Sequence, residues 1–184
     1  VVNDANALLT MHNAGRIDLG GGGEMQNYGT MIQTTAQNLT FAGNTTTLTN
    51  EPGGVFDMDA NSNIVNNGGV GAGFGAFRNL GLLEKTAGTL NGGALNLNTG
   101  SAFFQVYFMN SGTIETDQGK LAMSLLLGAP SGDAAEFVGG TYNAAAGAVL
   151  DFPWTNVATG TLSGGGSGQV TLTGSMQAAG AGVT

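Results

Sequence analysis

The stretch that decides the fold is Asn110-Ser111-Gly112-Thr113-Ile114, which joins a corner to the start of a β-strand. Asparagine and glycine tolerate the backbone angles of a tight corner, and threonine and isoleucine fit the pleated surface that follows. The same order returns, each time before aliphatic residues, at Asn13-Ala14-Gly15, Asn27-Tyr28-Gly29 and Asn79-Leu80-Gly81. The cassette therefore predicts a corner and a short strand, repeated along the chain.

A related cassette without asparagine, Ala146-Gly147-Ala148-Val149-Leu150, indicates a further corner at Gly147. The cassettes return in the same sense at irregular intervals of roughly 12 to 30 residues, which favours the successive coils of a parallel solenoid. A sandwich or barrel would instead carry short hairpin turns between strands of matched length. We therefore predict an all-β fold, a parallel β-helix (β-solenoid) with coils of about 20 residues and almost no helix.

The composition agrees with a solenoid and not with a disordered chain. The 184 residues include 34 glycines, only 9% charged residues and 41% hydrophobic residues. Disordered chains combine low hydrophobicity with high charge, whereas this chain has enough apolar side chains to fill a core. We expect residues 1–184 to form a single β-solenoid domain or a segment of a longer array, with end segments at 1–12 and 175–184.

The charge and the residue types exclude several classes of protein. The formal net charge is −8, and the four basic residues, Arg16, Arg78, Lys85 and Lys120, are scattered, so we predict no nucleic-acid partner. The absence of cysteine excludes disulfides, thiolate zinc sites and cysteine nucleophiles. No run approaches the roughly 20 apolar residues of a membrane helix, so we predict no membrane span.

The sequence offers little for catalysis. The only histidine, His12, lies outside any nucleophile motif, and a Ser/His/Asp arrangement needs a histidine base. Two pairs of carboxylates, Asp57 with Asp59 and Glu115 with Asp117, each lie on one face of a strand, but neither has a basic residue beside it in sequence. We therefore predict a protein that is not an enzyme and that has no catalytic residues and no cofactor.

A weak calcium candidate lies in one polar segment. Its oxygen-bearing residues have the spacing that opens an EF-hand loop, but Ser62 replaces the required glycine and Gly68 replaces the closing glutamate. A strand end followed by a polar turn accounts for the segment more simply. The four candidate ligands are Asp57, Asp59, Asn61 and Asn63.

Four aromatic residues are candidates for recognition of a glycan or a protein: Trp154, Tyr107, Tyr142 and Phe103. Aromatic side chains on a polar surface anchor interfaces and stack on sugars. The alternative is that most of them are buried inside the solenoid or under a loop.

The succession from Asn79-Leu80-Gly81 through Asn110-Ser111-Gly112-Thr113 and Gly140-Thr141-Tyr142-Asn143 to Gly168-Gln169-Val170-Thr171 resembles the Asn-x-Gly-Thr repeat arrays of very large bacterial secreted and surface proteins. Those arrays are similar to autotransporter passenger and haemagglutinin-type β-helices. The resemblance covers most of residues 50 to 175 and departs from the pattern at Pro153-Trp154. It implies a right-handed parallel β-helix, secreted or at the cell surface, that acts as a stalk, fibre or adhesin.

Neither end segment has the amphipathic pattern of a solenoid cap, and an uncapped strand edge is a template for further strands. We therefore expect a structural subunit or segment of an extracellular fibre, which associates end to end with copies of itself or with flanking repeats. An adhesin that binds a surface glycan or protein is the alternative. A polysaccharide-active β-helix enzyme is the third.

Overall fold

The computed structural model describes residues 1–12, 15–36, 38–42, 46–66, 75–88, 94–96, 107–124, 136–153 and 156–183. These residues contain strands, turns and bends but no helix. The prediction of an all-β fold is confirmed.

Short strands, most of them of three or four residues, alternate with corners along the described chain. The strands are Val2–Asn3 (β1), Leu8–Met11 (β2), Ile17–Gly20 (β3), Glu24–Asn27 (β4), Thr30–Gln33 (β5), Leu39–Ala42 (β6), Thr47–Asn50 (β7), Val55–Met58 (β8), Ile64–Asn66 (β9), Ala76–Asn79 (β10), Leu82–Lys85 (β11), Ala94–Asn96 (β12), Tyr107–Asn110 (β13), Thr113–Thr116 (β14), Lys120–Ser124 (β15), Glu136–Ala144 (β16), Val149–Asp151 (β17), Asn156–Gly165 (β18), Gln169–Thr171 (β19) and Met176–Val183 (β20).

Every strand pair is parallel, and the strands stack into three faces. The first face contains β1, β4, β7, β10 and β13, and the second contains β2, β5, β8, β11 and β14. The third face consists of two sheets, β3, β6 and β9 and then β12, β15, β17 and β19; β9 and β12 lie in contact, but no strand pairing among the described residues joins them. Strand β16 belongs to two faces, because its first half pairs with β13 and its second half with β14. The chain is therefore a parallel β-solenoid, as predicted.

The coils differ in length. Asn27 and the stacked Asn50 are 23 residues apart, and Asn79 and Asn110 are 31 apart. Coils longer than the expected length of about 20 residues therefore occur. The register across β7, β10 and β13 stays unbroken all the same. The described first-face strands of the longer coils, β10 and β13, have four residues each, as β4 and β7 do.

The core is a narrow column of apolar side chains inside the three faces. Alternation along each strand points every second side chain inward, so that Phe56, Phe77 and Phe108 are fully buried. Their ring centroids are 5.4 Å apart between Phe56 and Phe77 and 5.6 Å between Phe77 and Phe108. Burial of each large side chain stabilises the fold by roughly 1.5–3 kcal/mol. With no cysteine in the chain, this packing and the ladders hold the coils together.

Candidate functional site

A column of asparagine side chains runs up the rod at the last residue of each first-face strand. The Nδ2 of Asn27 donates to Oδ1 of Asn50 at 2.7 Å, and the Nδ2 of Asn50 donates to Oδ1 of Asn79 at 2.8 Å. The same bond joins Asn3 to Asn27 and Asn79 to Asn110, each at 2.7 Å. All five asparagines are buried. We call these five residues the amide column.

Each amide in the column also donates a hydrogen bond to a backbone carbonyl. Besides its stacked neighbour, the Nδ2 of Asn27 donates to the Val55 carbonyl at 2.8 Å, and the Nδ2 of Asn79 donates to the Thr113 carbonyl at 2.9 Å. These bonds fix the corner of one coil to the second-face strand of the next. Since buried polar groups are expensive unless they are paired, the column is a main determinant of coil register.

The amide column is directional and ends at Tyr142. Every Nδ2 donates toward the C-terminal coils, and the Nδ2 of Asn110 donates to the Tyr142 hydroxyl at 3.0 Å. That hydroxyl donates in turn to the Gly139 carbonyl at 2.9 Å. Burial raises the pKa of Tyr142 to about 12, although the bond from Asn110 opposes the rise. Tyr142 is therefore a neutral, buried end to the column and is not exposed for recognition.

A column of glycines lies beside the amide column, at the residue before each second-face strand. A Cβ added to Gly81 would overlap the Gly54 carbonyl, and one added to Gly112 would overlap the Gly81 carbonyl. The backbone of one coil occupies the space that a side chain of the next would need. The glycines at these corners are Gly29, Gly54, Gly81 and Gly112.

The N-terminal coil departs from this rule, because Ala7 precedes its second-face strand. The corner from Asn3 to Ala7 resembles the corner from Asn50 to Gly54: each is closed by a backbone bond, from Ala7 N to Asp4 O at 2.9 Å and from Gly54 N to Glu51 O at 2.8 Å. A Cβ at Gly54 would overlap the Asn27 carbonyl of the preceding coil. Ala7 has its methyl group where no described coil lies.

Carboxylates form a column on the outside of the second face. Glu84 pairs in register with Asp57 on one side and with Glu115 on the other. Burial, and after it the charges of Asp57, Asp117 and Glu115, together raise the pKa of Glu84 to about 7. Burial also raises the pKa of Asp57, against a 2.6 Å hydrogen bond from Thr86 Oγ1. We call Asp57, Glu84 and Glu115 the carboxylate column.

Lys85, the next residue after Glu84, turns inward and is fully buried. Its Nζ donates to the Ala60 carbonyl at 2.8 Å, to Oδ1 of Asn61 at 3.3 Å and to the Ala87 carbonyl. Burial lowers the pKa of Lys85. The ammonium therefore ties the corner at Ala60 and Asn61 to β11, and the charges of Asp57 and Asp59 partly oppose the lowering of its pKa.

Asp151 is a second buried charged residue in the described part of the chain, and its carboxylate is paired. Its carboxylate contacts Lys120 Nζ at 2.6 Å and accepts hydrogen bonds from the hydroxyls of Thr171 at 2.9 Å and Thr173 at 2.8 Å. Burial raises the pKa of Asp151, but the bonds from Lys120, Thr173 and Thr171 outweigh it and leave that pKa below its ordinary value. These contacts link β15, β17 and β19 on the third face.

Three of the four calcium candidates have different hydrogen-bond partners, and the fourth is exposed. Asp57 accepts from Thr86, Asn61 accepts from Lys85, and Asn63 Nδ2 donates to Oδ1 of Asn38 at 3.1 Å. Asp59 is exposed. Within the described ranges, no group of three or more His, Cys, Asp or Glu side chains is placed to hold a metal ion.

The predicted corners and aromatic residues are described in part. Asn27, Gly29, Asn79, Gly81, Asn110 and Gly112 form corners between first-face and second-face strands, and Gly147 forms a turn with φ of 79°. Gly15 lies in an exposed bend. Asn13, Phe103, Trp154 and the side chain of Tyr107 lie outside the described residues.

Both ends of the described rod expose apolar residues. Val2 is 53% exposed and Leu8 64% exposed at the N-terminal coil, and Val170 is 45% and Leu172 58% exposed at the C-terminal coils. A groove of about 470 Å³ opens at the C-terminal end. It is lined by Tyr142, Phe152, Leu162, Val170, Leu172, Met176 and nearby glycines. The interior of the solenoid is thus open to solvent at this end.

Within the described part of the chain, no helix is long and apolar enough to cross a membrane. No family model, no curated protein and no solved structure matches the chain.

Proposed function

We propose that the chain is a structural segment of an extracellular fibre built from stacked β-solenoid coils. The observation that carries the proposal is the state of the two ends: both expose strand edges, and the C-terminal end also exposes interior apolar side chains such as Val170, which is in register with the buried Leu150. Exposed strand edges are templates for further strands, and exposed apolar patches mark interaction surfaces. Contacts between identical ends cannot continue indefinitely, whereas head-to-tail contacts extend into filaments.

The columns inside the rod support a mechanical role. Each coil is joined to the next by backbone ladders and by the amide column, and the aromatic rings of the core pack from coil to coil. Every such contact repeats along the axis, so the structure gains stability as coils are added. A protein that acts as a spacer or stalk needs this property.

The resemblance of the repeats to bacterial autotransporter and haemagglutinin-type arrays supports an extracellular or cell-surface location. The lack of cysteine and the net charge of −8 fit a repetitive exported rod, which depends on packing rather than on disulfides. Fibre subunits and adhesin stalks share these features, so the experiment has to separate the two functions.

The test joins two copies head to tail in one polypeptide and measures particle shape by electron microscopy. One straight rod of about twice the length and unchanged width is expected. A Leu172→Glu change at the junction introduces charge into the open groove and should give a kinked, two-bodied particle. The matched control Gln118→Glu adds the same charge at an exposed corner in the middle of the rod and should leave the particle straight.

Two independent bodies in the unchanged tandem would contradict the fibre. A glycan array would then test the adhesin alternative. Filaments of the single chain would show that copies of it suffice for assembly.

A further inference from the structure

The amide column leaves one acceptor unpaired at the N-terminal coil. The Nδ2 of Asn3 donates to Oδ1 of Asn27 at 2.7 Å and to the Thr30 carbonyl at 3.1 Å. In the rest of the column each Oδ1 accepts from the preceding asparagine. No described residue donates to Oδ1 of Asn3, which lies at the open end of the column. A coil seated on this edge would bury that oxygen, and a buried acceptor without a donor costs about 1–3 kcal/mol, so the position favours a partner that supplies a donor.

The direction of the column defines the chemistry of that partner. The free end accepts hydrogen bonds and has no free amide hydrogen, because both hydrogens of the Asn3 Nδ2 are already used. A partner must therefore donate from the position that an asparagine would occupy in one more coil. The N-terminal coil of a second copy offers only another acceptor, so a head-to-head contact would place two oxygens against each other.

The C-terminal coils of a second copy do not supply the donor either. Register carries the amide-column position from Asn110 to Phe137, then to Ala158 and Ala178. None of these three residues has a side-chain donor. Head-to-tail stacking of copies would extend the backbone ladder but would leave the Asn3 acceptor unpaired.

We propose that the N-terminal edge of the solenoid binds a further parallel coil, of a sequence different from the C-terminal coils of this chain, that ends its first-face strand with an asparagine over Asn3. This inference rests on the proposed function, because it takes the coil edges as joining surfaces. The Ala7 methyl adds a second requirement. The corner of the partner coil must lie clear of Ala7, unlike a short Asn-x-Gly corner, whose carbonyl occupies that space at Gly54.

The probe is a copy of residues 24–47 joined ahead of Val1, which places the copy of Asn27 23 residues before Asn3, the spacing that separates Asn27 from Asn50. It is compared with the same extension in which the copied asparagine is replaced by alanine. Because the copied corner is short, both are made with Ala7 and with Ala7→Gly. In the Ala7→Gly background the asparagine extension should unfold at a temperature about 2–4 °C higher than the alanine extension.

Asn3→Ala in both extended chains completes a double-mutant cycle. The advantage of the copied asparagine should shrink when Asn3 is replaced, since the two amides act on each other. The asparagine extension should stabilise the chain less when residue 7 is alanine than when it is glycine, because the carbonyl of the short copied corner would meet the Ala7 methyl. Hydrogen exchange of the β1 and β2 amides reports whether the added coil is seated, even where a variant is only marginally stable.

Equal stability of the asparagine and alanine extensions, with β1 and β2 protected, would overturn the inference. Filaments of the unextended chain that disappear on Asn3→Ala would overturn it as well, because a second copy would then be the partner. A straight tandem rod without coupling at Asn3 would leave the fibre standing and refute this inference. Coupling at Asn3 with a kinked tandem would refute the fibre instead.

Discussion

The Asn110 amide and the Tyr142 hydroxyl lie 3.0 Å apart, and their hydrogen bond closes a column of five stacked asparagines. The hydroxyl takes the place of a sixth carboxamide, because it accepts from one coil and donates onward to the Gly139 carbonyl. The Tyr142 hydroxyl oxygen thus ends the chain of hydrogen bonds between asparagine side chains.

Removal of that oxygen by Tyr142→Phe is expected to destabilise the fold by about 1–3 kcal/mol. The Asn110 Nδ2 would keep only its 3.4 Å contact with the Gly112 carbonyl. Urea unfolding measures the change, with Tyr28→Phe as the control because Tyr28 is 40% exposed. Equal losses in the two variants would show that the hydroxyl does not close the column.

Gly81→Ala and Ala7→Gly test the glycine column from opposite sides. The first places a methyl group against the Gly54 carbonyl and should destabilise by about 1–3 kcal/mol, or more because the obstacle is backbone. The second removes the methyl group of a half-buried residue on the first coil and should cost about 1 kcal/mol or less, mainly through backbone entropy. Thermal unfolding of the two variants measures the contrast. An unchanged unfolding temperature for Gly81→Ala would refute the close approach of the coils at this corner.

A rise in pH from 5 to 8 should destabilise the protein through Glu84. The folded state holds the Glu84 proton up to a pKa of about 7, above the ordinary value of 4.5. The native state therefore binds more protons across this window, and stability falls as pH rises through it. After allowance for solvent screening, the unfolding equilibrium constant should rise about tenfold.

Glu84→Gln should flatten the pH dependence of the unfolding midpoint. Glu24→Gln serves as the control, because Glu24 is exposed and lies outside the carboxylate column. NMR titration of the Glu84 side chain checks the same claim without a mutation. Titration near its ordinary value would contradict it.

At Asp151 it is a fall in pH, rather than a rise, that should destabilise the protein. Its pKa lies below the ordinary 3.8, so its contribution to stability is present above that pH and is lost as the pH falls further. Thermal unfolding between pH 5 and pH 2.5 should show a steeper loss for the wild type than for Asp151→Asn. Parallel curves would mean that the bonds from Lys120, Thr171 and Thr173 do not stabilise the ionised form.

Lys85 and Lys120, the only two lysines, should differ in reactivity toward an acetylating reagent. The Lys120 side chain is 37% exposed, whereas Lys85 is fully buried behind three acceptors. Peptide mapping by mass spectrometry should show acetylation of Lys120 in the native protein and of Lys85 only after denaturation. Native labelling of Lys85 at the same rate would contradict its inward position.

The fold could be predicted because Asn-x-Gly cassettes are local, but the full amide column could not. Asn3 and Asn50 escaped the pattern because their corners are two residues longer than that of Asn27. Glu84 was also missed, although it follows Asn79 by five residues, as Glu115 follows Asn110.

The placement of Tyr142 was beyond sequence reasoning. It depends on the irregularity in β16 between Val138 and Gly140, where positive φ at Gly139 and Gly140 carries the strand from the first face to the second. A surface aromatic and a buried column end have the same local sequence signals. Only the long-range pairing of Ile114 with Tyr142 distinguishes them.

The close fit of the glycine corners limits how such a chain can change in length. Insertion of one residue within a strand would flip its side chains and move the asparagine off the stack. Duplication or loss of an entire turn, from one column asparagine to the next, would leave every vertical contact intact. Variants of this chain that still fold should therefore differ by complete turns or by loop residues, so that the length of the rod changes in steps of one coil.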